Sequence, residues 1–202
     1  MTRAAAAVFH DHVWWGWASL GDVPRVRARP AAVVAAVTVA VTAAAVALLI
    51  GAAALLGVRS AGFAFAVVWL PMTWMGTLSR VLQPRLPGRW HALRPVERDG
   101  RLYERLGVRV VKRLLRRGPL AVFNPDLHLP AERTPEAMAR LDGRMRDAEA
   151  AHVLVFALTL VAVAWALARG WWASAAWILL FDVLVNGCPV MLQRYNRALL
   201  TR

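Results

Sequence analysis

Four polar side chains recur through an otherwise apolar C-terminal stretch. Asp182 and Asn186 lie four residues apart and share one face of a helix, and Gln193 and Arg197 follow seven and eleven residues after Asn186 along roughly the same face. Around them stands the dense run Gln193-Arg194-Tyr195-Asn196-Arg197. Pro189 removes a backbone donor inside this stretch and frees the carbonyl of Val185. Upstream, Glu149 and His152 are three apart on a helix, the spacing of a carboxylate–imidazole pair. Such a pair fixes the tautomer of the imidazole and raises its basicity, as a general base requires. The same two residues have other uses: a structural contact, or metal binding, which needs a second Glu-x-x-His that the chain lacks. If His152 is a base, transfer of an acyl group to a hydroxyl is within reach, with Glu149 orienting it and Asn186, Gln193 or Asn196 supplying donors to the oxyanion. Arg194 and Arg197 suit the phosphates of an acyl donor such as acyl-CoA, arriving as a co-substrate rather than as a bound cofactor. A packing face ending in an interfacial anchor is the plainer alternative for the same polar run.

Composition decides where these residues must work. The chain has 202 residues, 59% of them hydrophobic, and its mean hydropathy of +0.46 is too high for a soluble domain of this size. A net charge of +13 fits nucleic acid or anionic lipid as partner. Long apolar runs decide for membrane lipid and against nucleic acid. Lys112 is the one lysine among 25 basic residues, and the lone cysteine, Cys188, excludes an internal disulfide and a cysteine-built metal cage. No repeat, P-loop, serine-nucleophile elbow or His-x-x-x-x-Asp pattern is present.

The elements follow from the apolar runs. Residues 1–30 form an aromatic and arginine-bearing arm with Trp14, Trp15 and Trp17, suited to a membrane surface and not a cleavable signal. His10 and His12 in this arm read as solvated surface. Residues 31–57 and 61–79 are each long enough to cross a bilayer and pair as a hairpin through a turn holding Arg59. Residues 80–150 carry sixteen basic and nine acidic residues and no run long enough to cross. Within them, Val96 to Arg117 reads as an amphipathic helix lying on lipid, with Leu102, Leu106, Val110 and Leu114 every four residues and Gly100 and Gly107 weakening it. Ala121 to Pro130 reads as a loop. Thr134-Pro135-Glu136 is a strong helix start, and no breaker follows before the third span, Ala151 to Ala168. The fourth span runs from Trp171 to Leu192, and 193–202 forms a tail. The expected fold is an all-α integral membrane protein with about four transmembrane helices and a basic helical insertion between the second and third.

Arginine is scarce in the loops at 57–60 and 169–170 and abundant elsewhere. The positive-inside rule therefore places both termini and the 80–150 insertion in the cytosol, in a multi-pass protein of the cell membrane. The third span then enters the bilayer near His152 and the fourth leaves it near Gln193. Glu149, His152 and the Gln193–Arg197 run come to one depth at the inner leaflet.

These residues carry a resemblance. Ala148-Glu149-x-x-His152 before an apolar span, Asn186 with a nearby proline, Gln193-Arg194-Tyr195-Asn196-Arg197, and upstream Glu97-x-x-Gly100-x-x-Tyr103 with Lys112 together resemble the glycosyl-4,4'-diaponeurosporenoate acyltransferase family. The likeness covers roughly residues 90–197, with the QRYNR run its most specific part. It implies a small membrane enzyme of carotenoid biosynthesis whose type reaction adds a fatty acyl group to a sugar-bearing carotenoid acid. It further implies that Glu97, Tyr103, Lys112, Asn186, Gln193, Arg194, Tyr195, Asn196 and Arg197 contribute to substrate binding beside His152 and Glu149. The chain departs from the pattern at Pro189, which stands three and not two residues after Asn186, at Val111 before Lys112, and at Ala198-Leu199 after the QRYNR run. The competing readings are another lipid-modifying membrane enzyme, a methyltransferase or reductase, and a non-enzymatic scaffold on anionic lipid. A scaffold should leave Glu149 and His152 facing lipid or locked in surface ion pairs. An enzyme should line with them a cavity open to the inner leaflet.

Overall fold

The structure, a computed structural model, describes residues 30–82, 85–117 and 134–200, with the side chains of 80–82 and 115–117 excepted. The N-terminal arm with His10 and His12, and the 121–130 loop, lie outside the described residues. The described chain is all helical, and four of its helices are long and apolar enough to cross a membrane. Two of them, α1 (Ala31–Leu56) and α2 (Ala61–Leu82), form the expected hairpin. Gly57 turns the chain with φ 76°, which only glycine adopts without strain, and the Ser60 hydroxyl caps α2 by accepting from the Phe63 N–H at 3.0 Å. Inside the hairpin the Trp74 Nε1–H donates to the Thr42 hydroxyl at 2.9 Å, a polar tie between two helices that lack a hydrophobic drive to associate in lipid. No residue of α1 is buried, as expected of a helix whose solvent is acyl chain.

After α2 come the one-turn helix α3 (Gly88–His91), a 3₁₀ turn at Pro95–Glu97, α4 (Arg101–Arg105) and α5 (Val108–Arg117). The sequence pattern had pointed to one amphipathic helix over Val96 to Arg117. The structure breaks it at both glycines, Gly100 at φ 66° and Gly107 at φ 81°, each in the left-handed region that ends a helix. The breaks fold Tyr103 and Val108 inward, where they pack with Leu192 and Tyr195. Leu106, Val110 and Leu114 remain exposed together.

The helix α6 (Pro135–Ala168) is the single long helix its sequence predicts. Its first turn is capped by Thr134, whose hydroxyl accepts from the Ala137 N–H at 3.2 Å. A turn at Gly170 leads into α7 (Trp172–Asp182). The fourth span does not continue as a regular α-helix. Val183–Gly187 is a π-turn, closed by the Cys188 N–H on the Val183 carbonyl, before α8 (Cys188–Leu200) resumes. Pro189 explains the wider turn, because a proline ring crowds the carbonyl four residues back and offers no N–H to it. Gly187 faces α6, where the Phe156 ring packs against the π-turn at ordinary van der Waals distance.

Packing joins α2, α6 and α7 through Ala64, Val68, Val163, Ala166, Ala175 and Ile178. At the far end of this bundle, Arg59 and Arg169 both stack on Trp171, at 4.8 and 5.7 Å from its ring centre. At the other end α8 packs on both α6 and α5, and there the polar residues gather.

Candidate functional site

The polar end contains two networks. The larger is centred on Glu149, which is fully buried. Its Oε1 accepts from Arg194 Nη1 at 2.6 Å. Its Oε2 accepts from Arg197 Nη1 at 2.9 Å and from His91 Nδ1 at 3.2 Å. Arg194 is held in turn by Glu97, with Nη2 to Oε2 at 2.7 Å and Nε to Oε1 at 3.1 Å, and it donates further to the Tyr103 hydroxyl and to the carbonyls of Trp90 and Ala92. Arg197 donates from Nε to Asp142 at 2.9 Å and from Nη2 to the His91 carbonyl at 2.7 Å. Three carboxylates, two guanidinium groups and an imidazole from α3, the 3₁₀ turn, α6 and α8 thus close on one another. This is what burial of so many charges demands: each is paired and hydrogen-bonded.

Around this network the insertion is stitched to α8 by Lys112, whose Nζ donates to Asn196 Oδ1 at 2.8 Å and lies 5.4 Å from the Tyr195 ring centre. The Tyr195 hydroxyl donates to Glu104 at 3.0 Å. Glu97 also accepts from the Tyr103 hydroxyl at 2.5 Å and from the Arg94 N–H at 2.6 Å. Burial raises the Glu97 carboxyl, but the Arg194, Tyr103 and Arg94 hydrogen bonds outweigh it and bring it down to about 2. Burial and the Glu97 carboxylate together push the Tyr103 phenol up to about 12. A carboxyl held below its ordinary 4.5 stabilises the fold fully above that value and ceases to as the pH falls through about 2. Pepsin, active in acid, is therefore expected to spare residues 95–106 at pH 4.5 and to cut there as the pH approaches 2. In Glu97→Gln cutting should already occur at pH 4.5. Equal protection of both proteins across the range would contradict the assignment.

The second network is a chain of three. Asp182, fully buried at the end of α7, accepts on Oδ1 from Asn186 Nδ2 at 2.7 Å. Asn186, fully buried on the π-turn, turns its Oδ1 to His152 Nδ1 at 3.1 Å. His152, partly buried on α6, thereby donates from Nδ1 and keeps Nε2 as its basic nitrogen. Gln193 lies on the same face of the fourth span, between Asn186 and Arg197. It is buried and forms no side-chain hydrogen bond among the described residues.

Two sequence expectations are corrected here. Glu149 does not pair with His152. Two permanently charged guanidinium groups outcompete an imidazole for its carboxylate, and Asn186 takes the place of Glu149 at His152. Nor do Arg194 and Arg197 present free donors to a phosphate, because their N–H groups already meet protein oxygens. A cleft of about 350 Å³ opens beside Leu93, Met138, Asp142, Arg146, Arg197 and Leu200, on the side of the cluster toward the start of α6, and neither Glu149 nor His152 is among the residues that line it. The remaining sequence candidates do come together: Glu97, Tyr103, Lys112, Tyr195 and Asn196 tie the insertion to α8, and Asn186 meets His152. His91 and Glu104 join the networks without a signal in the sequence, since their partners lie 58 and 91 residues away. Asp142 stands one turn before Arg146 on α6 and pairs with it at 2.7 Å, a local i,i+4 spacing. Its other partner, Arg197, lies 55 residues away and has no local signal.

A family model described as glycosyl-4,4'-diaponeurosporenoate acyltransferase matches residues 87–202. That stretch begins just before α3 and contains every member of both networks. No curated protein and no solved structure matches the chain.

Proposed function

The chain belongs to the glycosyl-4,4'-diaponeurosporenoate acyltransferase family, and from that premise we propose that it moves a fatty acyl group from acyl-CoA, or a similar donor, to a hydroxyl of a glycosylated isoprenoid or related lipid at the inner leaflet. The observation that carries the reading is the Asp182–Asn186–His152 chain, a histidine with a defined basic nitrogen held by buried polar groups inside apolar helices. Polar groups of this kind are costly in a membrane and mark reaction or transport sites far more often than anchors.

His152 Nε2 takes the proton of the acceptor hydroxyl as its oxygen attacks the acyl carbonyl carbon. The new C–O bond forms, the carbonyl oxygen becomes an oxyanion, and the Gln193 amide, buried and without a side-chain hydrogen bond among the described residues, donates to it. The C–S bond then breaks, and the thiolate leaves with the proton held by His152. The Glu149 cluster acts one step back. It clamps α3 and the 3₁₀ turn onto α6 and α8, and so fixes the depth of Gln193 and Asn196. The scaffold reading accounts for that clamp but gives the His152 chain no role.

The arginine distribution supports a cytosolic position for both termini and for the insertion. In that orientation Leu106, Val110 and Leu114 face the acyl chains, with Arg105, Arg109 and Arg113 at the headgroups, each contributing on the order of 1 kcal/mol near an anionic surface. A peptide of residues 96–117 should bind anionic vesicles and release at high salt. Equal binding to neutral vesicles would remove the electrostatic part. The function itself is tested by extracting lipids and pigments from cells with and without the chain. A species heavier by one acyl group, only in cells that contain it, is expected. Identical extracts from cells supplied with the acceptor would overturn the reading.

A further inference from the structure

Asp182 is an expensive residue to keep. It is fully buried in an apolar span, its Oδ1 has one partner, and its Oδ2 has none among the described residues. A leucine would pack there without that cost. What Asp182 does is determined by the chemistry of the chain it starts. Asn186 carries an acceptor on one side of its amide and a donor on the other, and either fits the gap to His152 Nδ1. With the carbonyl toward His152, Nδ1 must carry the proton and Nε2 is basic. With the NH₂ group toward His152, Nδ1 must be the acceptor, Nε2 carries the proton, and the imidazole has no lone pair to offer a hydroxyl at that nitrogen. Ionised, Asp182 only accepts; protonated on Oδ2, its Oδ1 still accepts. In both states the Asn186 NH₂ group is drawn to Asp182 and the carbonyl is left for His152.

We propose that Asp182 is a positioning residue that sets the orientation of the Asn186 amide and, through it, the tautomer of His152. The π-turn serves the same end, since it puts Asn186 against α6 while Asp182 stays one turn away on the same face. The inference rests on His152 being the base only for its consequence in turnover. The tautomer can be read whether or not the chain transfers acyl groups.

The test uses the full chain in lipid nanodiscs with ¹⁵N-histidine. The His152 ring signals are assigned by their loss in His152→Gln. In the wild type the expected signal is a single population protonated at Nδ1. In Asp182→Asn the residue at 182 can donate as well as accept, so the amide loses its enforced direction and a second population, protonated at Nε2, should appear. The exchange Asp182→Asn with Asn186→Asp restores a group at 186 that can only accept, and should return Nδ1 to its protonated form. A role in packing alone predicts no such restoration. A single Nδ1-protonated signal retained in Asp182→Asn would overturn the proposal. So would failure of the double exchange to restore it in protein that folds to wild-type yield. If these signals shift as expected while no variant, nor the wild type, transfers an acyl group, the positioning role stands and the acyltransferase reading fails.

Discussion

His152→Ala is expected to reduce acyl transfer by ~10²- to 10⁴-fold, the contribution of a positioned general base, while the protein reaches the membrane at normal abundance. The imidazole is partly buried and has one side-chain partner among the described residues, Asn186, so its removal leaves the Glu149 cluster intact. Asn186→Leu should lose much of the same activity, because it removes the group that fixes which nitrogen is basic. Turnover assays with quantified membrane protein separate the two effects. Near-normal turnover in His152→Ala would place the base elsewhere.

Arg194→Ala is expected to fail in a different way. This side chain joins Glu97, Tyr103 and Glu149 and the carbonyls of Trp90 and Ala92. Truncating it leaves, among the described residues, the fully buried Glu149 with one guanidinium partner and Glu97 with none. Removing one member of a buried ion pair costs about 3–5 kcal/mol, so the loss should appear as a lower unfolding temperature and reduced yield of the whole protein. Arg194→Lys should recover only part of this, because a single ammonium cannot span both carboxylates as the planar fork does. Replacing Arg194 and Glu149 together with apolar residues of similar volume should be milder than either single change, since no unpaired charge remains. If Arg194→Ala folds normally and only raises the KM for the acyl donor, the cluster opens during turnover and the guanidinium meets the donor after all.

How much of this was legible beforehand differs by element. The spans were plain, because runs such as 31–57 leave the chain no other solvent than lipid. Helix α6 was equally plain, from the Thr134-Pro135-Glu136 start and the absence of a breaker. The face Asp182, Asn186, Gln193 and Arg197 could be read from spacing, and the resemblance brought Glu97, Tyr103 and Lys112 into view as residues belonging together. Partner choice was not legible. Glu149 and His152 have the spacing of a pair, yet which acceptor each takes depends on residues from α3 and α8, and no local pattern encodes that. The π-turn was half visible: Pro189 announced a defect, but not that one extra residue would be accommodated in the turn. Gly100 and Gly107 were seen as weak points in a helix and proved to be its ends.

The proposed acyl transfer at the polar end of this bundle runs through His152. It is tested most directly with the purified chain in nanodiscs, given a fatty acyl-CoA and a glycosylated isoprenoid acid, by measuring free thiol and the mass of the acceptor together. Expected are one thiol released per acyl group gained by the acceptor and loss of both signals in His152→Ala. Thiol release with an unchanged acceptor mass, or an equal mass gain in the variant, would contradict it.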